Sequence, residues 1–472
     1  MATLRFHEFS GGLQSATTRF LRPANELTRA INVDFNKPGG IRKRLGYSKF
    51  SDTVNSGQNI TGLHSYYRLN GDSYLLVSSQ ANLYRSTGGV WTAMAGLASG
   101  ANYEFATFID EVFVCGYNSS TRAFDTIKNL DATALTTTNN LTSAPNAKIP
   151  IVFRQRLYLI SLADRRSAFQ YSATPTSSGT VITWPTTNIE EVRTDDGDEL
   201  IGAGEVANRL VLFKQNSMHE WNEASIIQVA SVGTPSHRSI VNSGQYLFFF
   251  SRSQAIKGFY AYGGGQPKLI SGKIQEWCDG IADSGLSSIA GWKQGNDIVW
   301  YVGTITIGAE TFSNSCIVYH LISNTWRIYQ LDDAVLCTAP FISSNTQRPY
   351  VGTSDGDVHQ MAVPGDTTYG DNGAAIAALF RTTELDLGSQ EEVKRLSRSM
   401  FFAEEAQGLQ VAMRADGGNW KSLGQLTKTV NEFSFLGSKG YYMEFEGKES
   451  SVNAPFTFLG FSISAELDST FK

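Results

Sequence analysis

Short apolar runs recur along this chain at a nearly regular interval. They read "YLLVSS" (74–79), "VFVCG" (112–116), "RLYLIS" (156–161), "RLVLFK" (209–214), "YLFFFS" (246–251), "DIVWYVG" (297–303) and "PYVGTS" (349–354). Tyr, Phe, Val and Trp dominate them, the residues that fit a pleated, half-buried surface. Turn residues bracket them, as in "NGD" (70–72), "GGG" (263–265) and "SDGD" (354–357). Their starts lie 37 to 53 residues apart. That interval suits one four-stranded propeller blade. No long stretch keeps a 3.6-residue apolar stripe; "NGAAIAALF" (372–380) comes closest and is too short for a helical domain.

Within each unit a buried strand is followed by a turn, a strand with an aromatic, and then a Trp or Tyr. Examples are "YLLVSSQANLYRSTGGVW" (74–91), "RLVLFKQNSMHEW" (209–221) and "CIVYHLISNTWRIY" (316–329). One blade cannot bury both of its faces, so blades must stack in a ring. The pattern predicts an all-β chain with a six- or seven-bladed β-propeller over residues 58–362. An array of split β-sandwiches is the alternative architecture. "VPGDTTYGDNGAA" (363–375) reads as a linker, and alternating strands over 376–472 read as a C-terminal β-sandwich.

Charge separates the first residues from the rest. The 472-residue chain has a formal net charge of -5. Residues 1–50 hold 9 Lys+Arg against 3 Asp+Glu, a net of +6, while the remainder holds 30 against 41, a net of -11. The segment 1–57 is therefore read as a basic N-terminal arm. Its focus is "INVDFNKPGGIRKRLGY" (31–47), where Lys37, Arg42, Lys43 and Arg44 surround a Pro-Gly-Gly turn. Three readings apply: a docking arm for an acidic patch on a neighbouring protein, a phosphate contact, or a hairpin with solvated charges. No stacking aromatics or recognition helix accompany the charges, so docking is the functional reading carried forward.

Catalytic constellations are not recognisable. The acidic turn "RTDDGDEL" (193–200) holds Asp195, Asp196, Asp198 and Glu199 but lacks the ligand spacing of an EF-hand. "RADGGNW" (414–420) reads as a hairpin with a Gly-Gly turn. The six His are scattered, and no phosphate loop or nucleophile elbow occurs. No cofactor, metal or catalytic residue is assigned. Cys115, Cys278, Cys316 and Cys337 form no C-x-x-C pair and are expected to be reduced. No run is long enough for a membrane span, and no signal peptide is read at the N-terminus. Modest net charge without heptads predicts a monomer or weak oligomer in isolation.

The order of segments resembles the tail hub, or nozzle, proteins of short-tailed bacteriophages. The residues that carry the resemblance are Asn36, Gly39, Gly40, Lys43, Arg44, Gly46 and Tyr47. They are followed by "PNAKIPIVFRQRLYLIS" (145–161), "DGDELIGAGEVANRLVLFKQNSMHEW" (196–221), "VGTPSHRSIVNSGQYLFFFSRSQAIKGFYAYGGGQPKLIS" (232–271) and "TTELDLGSQEEVKRL" (382–396). The resemblance implies a structural virion protein, not an enzyme. It implies a hexameric ring of propellers beneath the portal-adaptor complex, around the channel through which genomic DNA passes without sequence-specific binding. Tail fibres or a tail needle are the further partners implied, and the location is the virion tail after assembly in the host cytoplasm. The acidic balance beyond residue 50 suits a channel that does not grip phosphates. Two other functions stay open on the residues alone: a receptor- or glycan-binding propeller using Trp184, Trp221 and Trp326, and a propeller glycosidase using Asp195 and Glu199.

Overall fold

The middle strand of a propeller blade is covered on both faces by neighbouring blades, so its residues need not alternate in polarity. Leu75, Leu76 and Val77, then Leu157 to Ile160, then Leu210 to Phe213 are all fully buried. They form the central strands Ser73–Ser79, Arg156–Leu162 and Arg209–Lys214 of successive antiparallel sheets. This is the physical origin of the apolar runs in the sequence.

The computed structural model describes residues 2–18, 21–35, 39–87, 89–130, 138–141, 143–175, 182–253, 256–343, 345–406, 408–434 and 438–467. The chain is all-β, a six-bladed propeller with additional sheets built from terminal and C-terminal strands. Five blades follow one another over 60–95, 102–140, 147–191, 200–230 and 241–269. The sixth, the closing blade, takes three strands from 335–361. A further four-stranded unit, 290–330, lies along the chain between the fifth blade and the closing blade and packs against both. It is the start of a ten-stranded sheet that continues out of the propeller, and is called the bridging unit below.

The ring closes through the N-terminal region. Tyr47–Lys49 pairs antiparallel with Val358–Met361 and supplies the fourth strand of the closing blade. The edge left by the last strand of the chain's propeller portion is thereby covered. Gly370–Asp371 then adds in parallel beside Tyr47, with Ala374–Ala375 outside it. Residues 363–375, read from sequence as a linker, thus extend the closing blade.

The residues read as an arm are likewise taken into sheets. Ala2–Phe6 pairs with Thr457–Leu467, and Val33–Asp34 with Ile41–Lys43 joins the same seven-stranded sheet. Glu26–Ile31 pairs with Ala378–Thr382 of the facing sheet and makes a parallel bridge, Ile31 to Ile328, to the bridging unit. These two sheets form the C-terminal sandwich. One apolar core runs through the sandwich, the fifth blade and the bridging unit, from Phe401, Phe445 and Phe461 to Phe259, Trp300 and Trp326. Ring centroids lie 4.7 Å apart for Phe445 and Phe461 and 4.4 Å apart for Phe259 and Trp300. Propeller and sandwich therefore share buried surface rather than hanging on a joint.

Gly46 sits where the closing strand approaches the 363–375 segment most closely. A Cβ at this position would lie 2.0 Å from the Gly370 carbonyl oxygen, and backbone on both sides is fixed by the Gly46–Thr368 hydrogen bond of 2.9 Å. Gly46→Ala is expected to destabilise by about 1–3 kcal/mol, the usual cost of overpacking. Urea unfolding measures it; an unchanged midpoint would show that this approach is looser than the backbone indicates.

Candidate functional site

The basic segment was the sequence's main candidate, and its charges turn inward. In the strand Ile41–Lys43 alternation leaves Arg42 half-buried and sends Lys43 into the interior. Lys43 and Glu449 are both fully buried and form an ion pair, and Lys43 also donates to the Ser451 carbonyl at 2.8 Å. Arg44 is 1% exposed. Its guanidinium uses all five N–H donors: Nε to Asn32 Oδ1 (2.8 Å), Nη1 to the Leu45 carbonyl (3.0 Å) and Asp371 Oδ1 (2.8 Å), and Nη2 to the Gln330 carbonyl (2.7 Å) and Asp371 Oδ2. The plane also lies 5.5 Å from the Tyr329 ring. Burial disfavours the charge on Arg44, but Asp371 outweighs it, and the pKa is raised.

The docking reading therefore needs correction for two of its four residues. Lys43 and Arg44 present no surface to a partner, because their charge is neutralised within the chain. Lys37 lies outside the described residues. Arg42 alone of the other three retains partial exposure. The glycines behave differently from each other: Gly39 has φ +74° and needs the left-handed region, whereas Gly40 is not among the positive-φ glycines.

A second constellation lies where inner strands of the ring converge. The connection between the fourth and fifth blades turns inward as a 3-10 turn, His237–Ser239. Hydroxyl bonds hold its shape: Thr234 with Ser239 at 2.9 Å and Ser236 to the Ile289 carbonyl at 2.8 Å. Arg238 then reaches across the ring. It donates to Glu104 (2.7 Å) and the Tyr103 carbonyl (3.1 Å) of the second blade, to the Thr61 carbonyl (2.7 Å) of the first, and to the Leu336 carbonyl (2.9 Å) of the closing blade. One side chain from a connection thus ties three inner strands. The only prior signal was "TPSHRS", a cluster of small hydroxyl residues around Pro, which suits a tight turn.

Beside this plug lies a cavity of about 300 Å³, lined among others by Tyr117, Lys148, Glu199 and His237. Its charges are paired. Lys148 donates to Glu199 at 2.9 Å and sits 4.3 Å from the Tyr117 ring centroid, and Arg166 adds a second contact to Glu199 at 3.4 Å. Burial pushes the Glu199 carboxyl up, but Lys148 and Arg166 prevail and hold it below the usual range. His237 is lowered by burial, so it is neutral near pH 7.

The acidic turn 193–200 is a structural clasp. Asp196 accepts from Lys214, whose side chain is fully buried, at 2.7 Å. Asp198 accepts the Asn216 backbone N–H at 3.0 Å, and Asp195 pairs with Arg193 at 3.3 Å. Burial raises Asp196, yet Lys214 and the Asp198 N–H together bring it below the usual range. A glycosidase acid needs a raised carboxyl pKa. Glu199, one of the two carboxylates named for that role, does not meet that need, and Asp195, the other, is exposed and paired with Arg193. Among the described residues no group of three or more His, Cys, Asp and Glu is placed to hold a metal ion. "RADGGNW" is the expected hairpin: Gln410–Ala415 pairs with Lys421–Gln425, and Trp420 lies between Arg381 (5.4 Å) and Arg414 (4.7 Å).

The tryptophans proposed as a sugar platform do not form one. Trp221 packs on Phe169 in the core between the third and fourth blades, and Trp326 is buried in the shared core. Trp184 is half-buried against the second and third blades. All four cysteines are buried and free. Burial pushes the thiols of Cys278 and Cys337 up to about 12, which makes them poor nucleophiles. No described helix is long and apolar enough to cross a membrane.

No family model and no curated protein matches this sequence. Two solved structures are similar to it in part. One is PorZ, described as an essential bacterial surface component of the type-IX secretion system of Porphyromonas gingivalis. It is 11% identical over 80% of this chain and 48% of PorZ, with a TM-score of 0.38. Another is the Pan2 WD40 domain of Neurospora crassa, 8% identical over 69% of this chain and 96% of that domain, with a TM-score of 0.39.

The Arg44 cluster yields a direct expectation. Arg44→Met strands Asp371 as a buried, uncompensated charge and should cost about 3–5 kcal/mol. Asp371→Leu in the same chain should recover a large part of that loss, since replacing both partners removes the stranded charge. Guanidinium unfolding of the two single variants and the double variant gives the coupling; strict additivity would mean that the pair does not act as a unit.

Proposed function

We propose that this chain is a structural subunit of a multi-subunit ring, of the tail hub or nozzle type found in short-tailed bacteriophages. The observation that carries the reading is mechanical. A propeller and a sandwich are welded by a shared core, a continuous ten-stranded sheet and buried ion pairs, so the chain transmits load as one body. The sequence resemblance supplies the kind of assembly: a hexamer below the portal-adaptor complex, with fibres or a needle as further partners.

Two further features support this reading. Arg238 occupies the centre of the propeller, so in such an assembly the genome would run along the axis of the ring and not through a subunit. The carboxylates and tryptophans that would serve a glycosidase or a sugar platform are largely committed to ion pairs and cores.

Electron microscopy tests the proposal. Purified chain, mixed with phage heads that carry their connector but lack this protein, should add as a ring with a central opening, while light scattering finds the chain alone monomeric or weakly associated. No addition to the connector, together with either binding on a glycan array or hydrolysis of aryl glycosides, would replace the reading with the corresponding alternative.

A further inference from the structure

At the weld between sandwich and propeller one guanidinium is shared by two carboxylates. Arg327, on the outer strand of the bridging unit, is fully buried. Its Nε lies 2.8 Å from Asp34 Oδ1, on the sandwich strand Val33–Asp34, and 2.9 Å from the Tyr329 hydroxyl. Its Nη2 donates to Asp297 Oδ2 at 2.5 Å. Tyr329 in turn donates to Asp34. Two polar atoms of the cluster are buried with no partner: Asp297 Oδ1 and Arg327 Nη1. Asp297 and Asp34 both line a cavity of about 80 Å³, together with Asn296, Gln294 and His320.

The charges around Asp297 can be counted element by element. Its own strand brings no other ionisable group to the cavity wall. The neighbouring strands bring Arg327 and Tyr329, and the end of the paired strand brings His320, which burial holds neutral. The sandwich brings Asp34 and Arg44, and Arg44 is matched by Asp371. One negative charge is left over. An uncompensated buried charge is costly, and the group relieves that cost by taking a proton.

We propose that Asp297 is a proton-binding site that tunes the weld between propeller and sandwich. A proton arriving from the cavity adds to the unpartnered Oδ1, leaving one carboxylate, Asp34, for one guanidinium. The weld is then tightest under mildly acidic conditions. Burial is the largest influence on the Asp297 carboxyl and raises its pKa, and Asp34 adds to the rise against the opposing pull of Arg327. The sign follows. Between the ordinary carboxylate range and the raised pKa the folded chain holds a proton that the unfolded chain has released, so stability falls as pH rises through that window.

Two variants test this. Asp297→Asn mimics the protonated form, and Asp34→Asn leaves Asp297 as the sole anion for Arg327. Relative to wild type, each should gain at pH 8 over its standing at pH 5, by about 2 °C or more in melting temperature. Carboxyl ¹³C NMR of wild type should show an aspartate that titrates above the ordinary range, absent in Asp297→Asn and shifted downward in Asp34→Asn. Asp332, also raised by burial and its acidic neighbours, serves as a control whose signal persists in Asp297→Asn. Melting differences that are the same at both pH values, or a wild-type spectrum in which Asp332 is the only aspartate titrating high, would overturn the proposal. If Asp297→Asn fails to fold, Asp34→Asn and the wild-type titration decide alone.

Discussion

Arg44 holds the molecule together at the point where its parts meet. Four of its five hydrogen bonds end on Asn32 beside the sandwich, on Gln330 of the bridging unit and, twice, on Asp371 of the strand beside the closing blade. A guanidinium is suited to this because its donors are planar and rigid, and its charge is not lost on burial. Lysine has three donors on a flexible stem and would leave acceptors unsatisfied. Buried ion pairs add little net stability over an apolar core of equal shape. What this one supplies is geometry: Asp371 finds its partner only when the closing strand and the sandwich are both in register.

Ring closure depends on the same segment. Three residues after Arg44 the chain becomes the last strand of the closing blade. The N-terminal fifty residues therefore build the sandwich and finish the propeller, and neither part is complete without them. Their positive charge is consumed in this task. Lys43 meets Glu449, Arg44 meets Asp371, and Arg29 meets Glu310 at 2.9 Å. Part of the charge asymmetry along the sequence is thus neutralised in space, since these basic residues near the start face acidic residues far along the chain.

The propeller's centre follows a similar logic. Inner strands leave backbone carbonyls that need hydrogen-bond donors. Arg238 meets three such carbonyls and one carboxylate from a single loop. Unlike a water column, a fixed side chain also ties the first, second and closing blades to the connection between the fourth and fifth. The cavity beside it keeps its charges in pairs, so it is polar without a strong field.

The sequence by itself determined the all-β class, the repeat of about one blade and the C-terminal sandwich. These rest on local rules: β-branched and aromatic runs form strands, and glycine at positions such as Gly264, Gly265 and Gly356, all with positive φ, turns them. Each requirement acts within a few residues and is legible there. The hairpin at "RADGGNW" was legible for the same reason. The fate of the basic segment was not. Lys43 and Glu449 are 406 positions apart, and Arg44 and Asp371 are 327 apart, so no local pattern distinguishes a buried pair from a solvated charge. The same holds for Trp221 and Trp326, whose burial is set by neighbouring blades, and for Arg238, whose acceptors come from three other parts of the ring. Tertiary structure decided these, because the free energy of a charge or a large ring depends on what surrounds it in space, and closure of the ring brings those surroundings together.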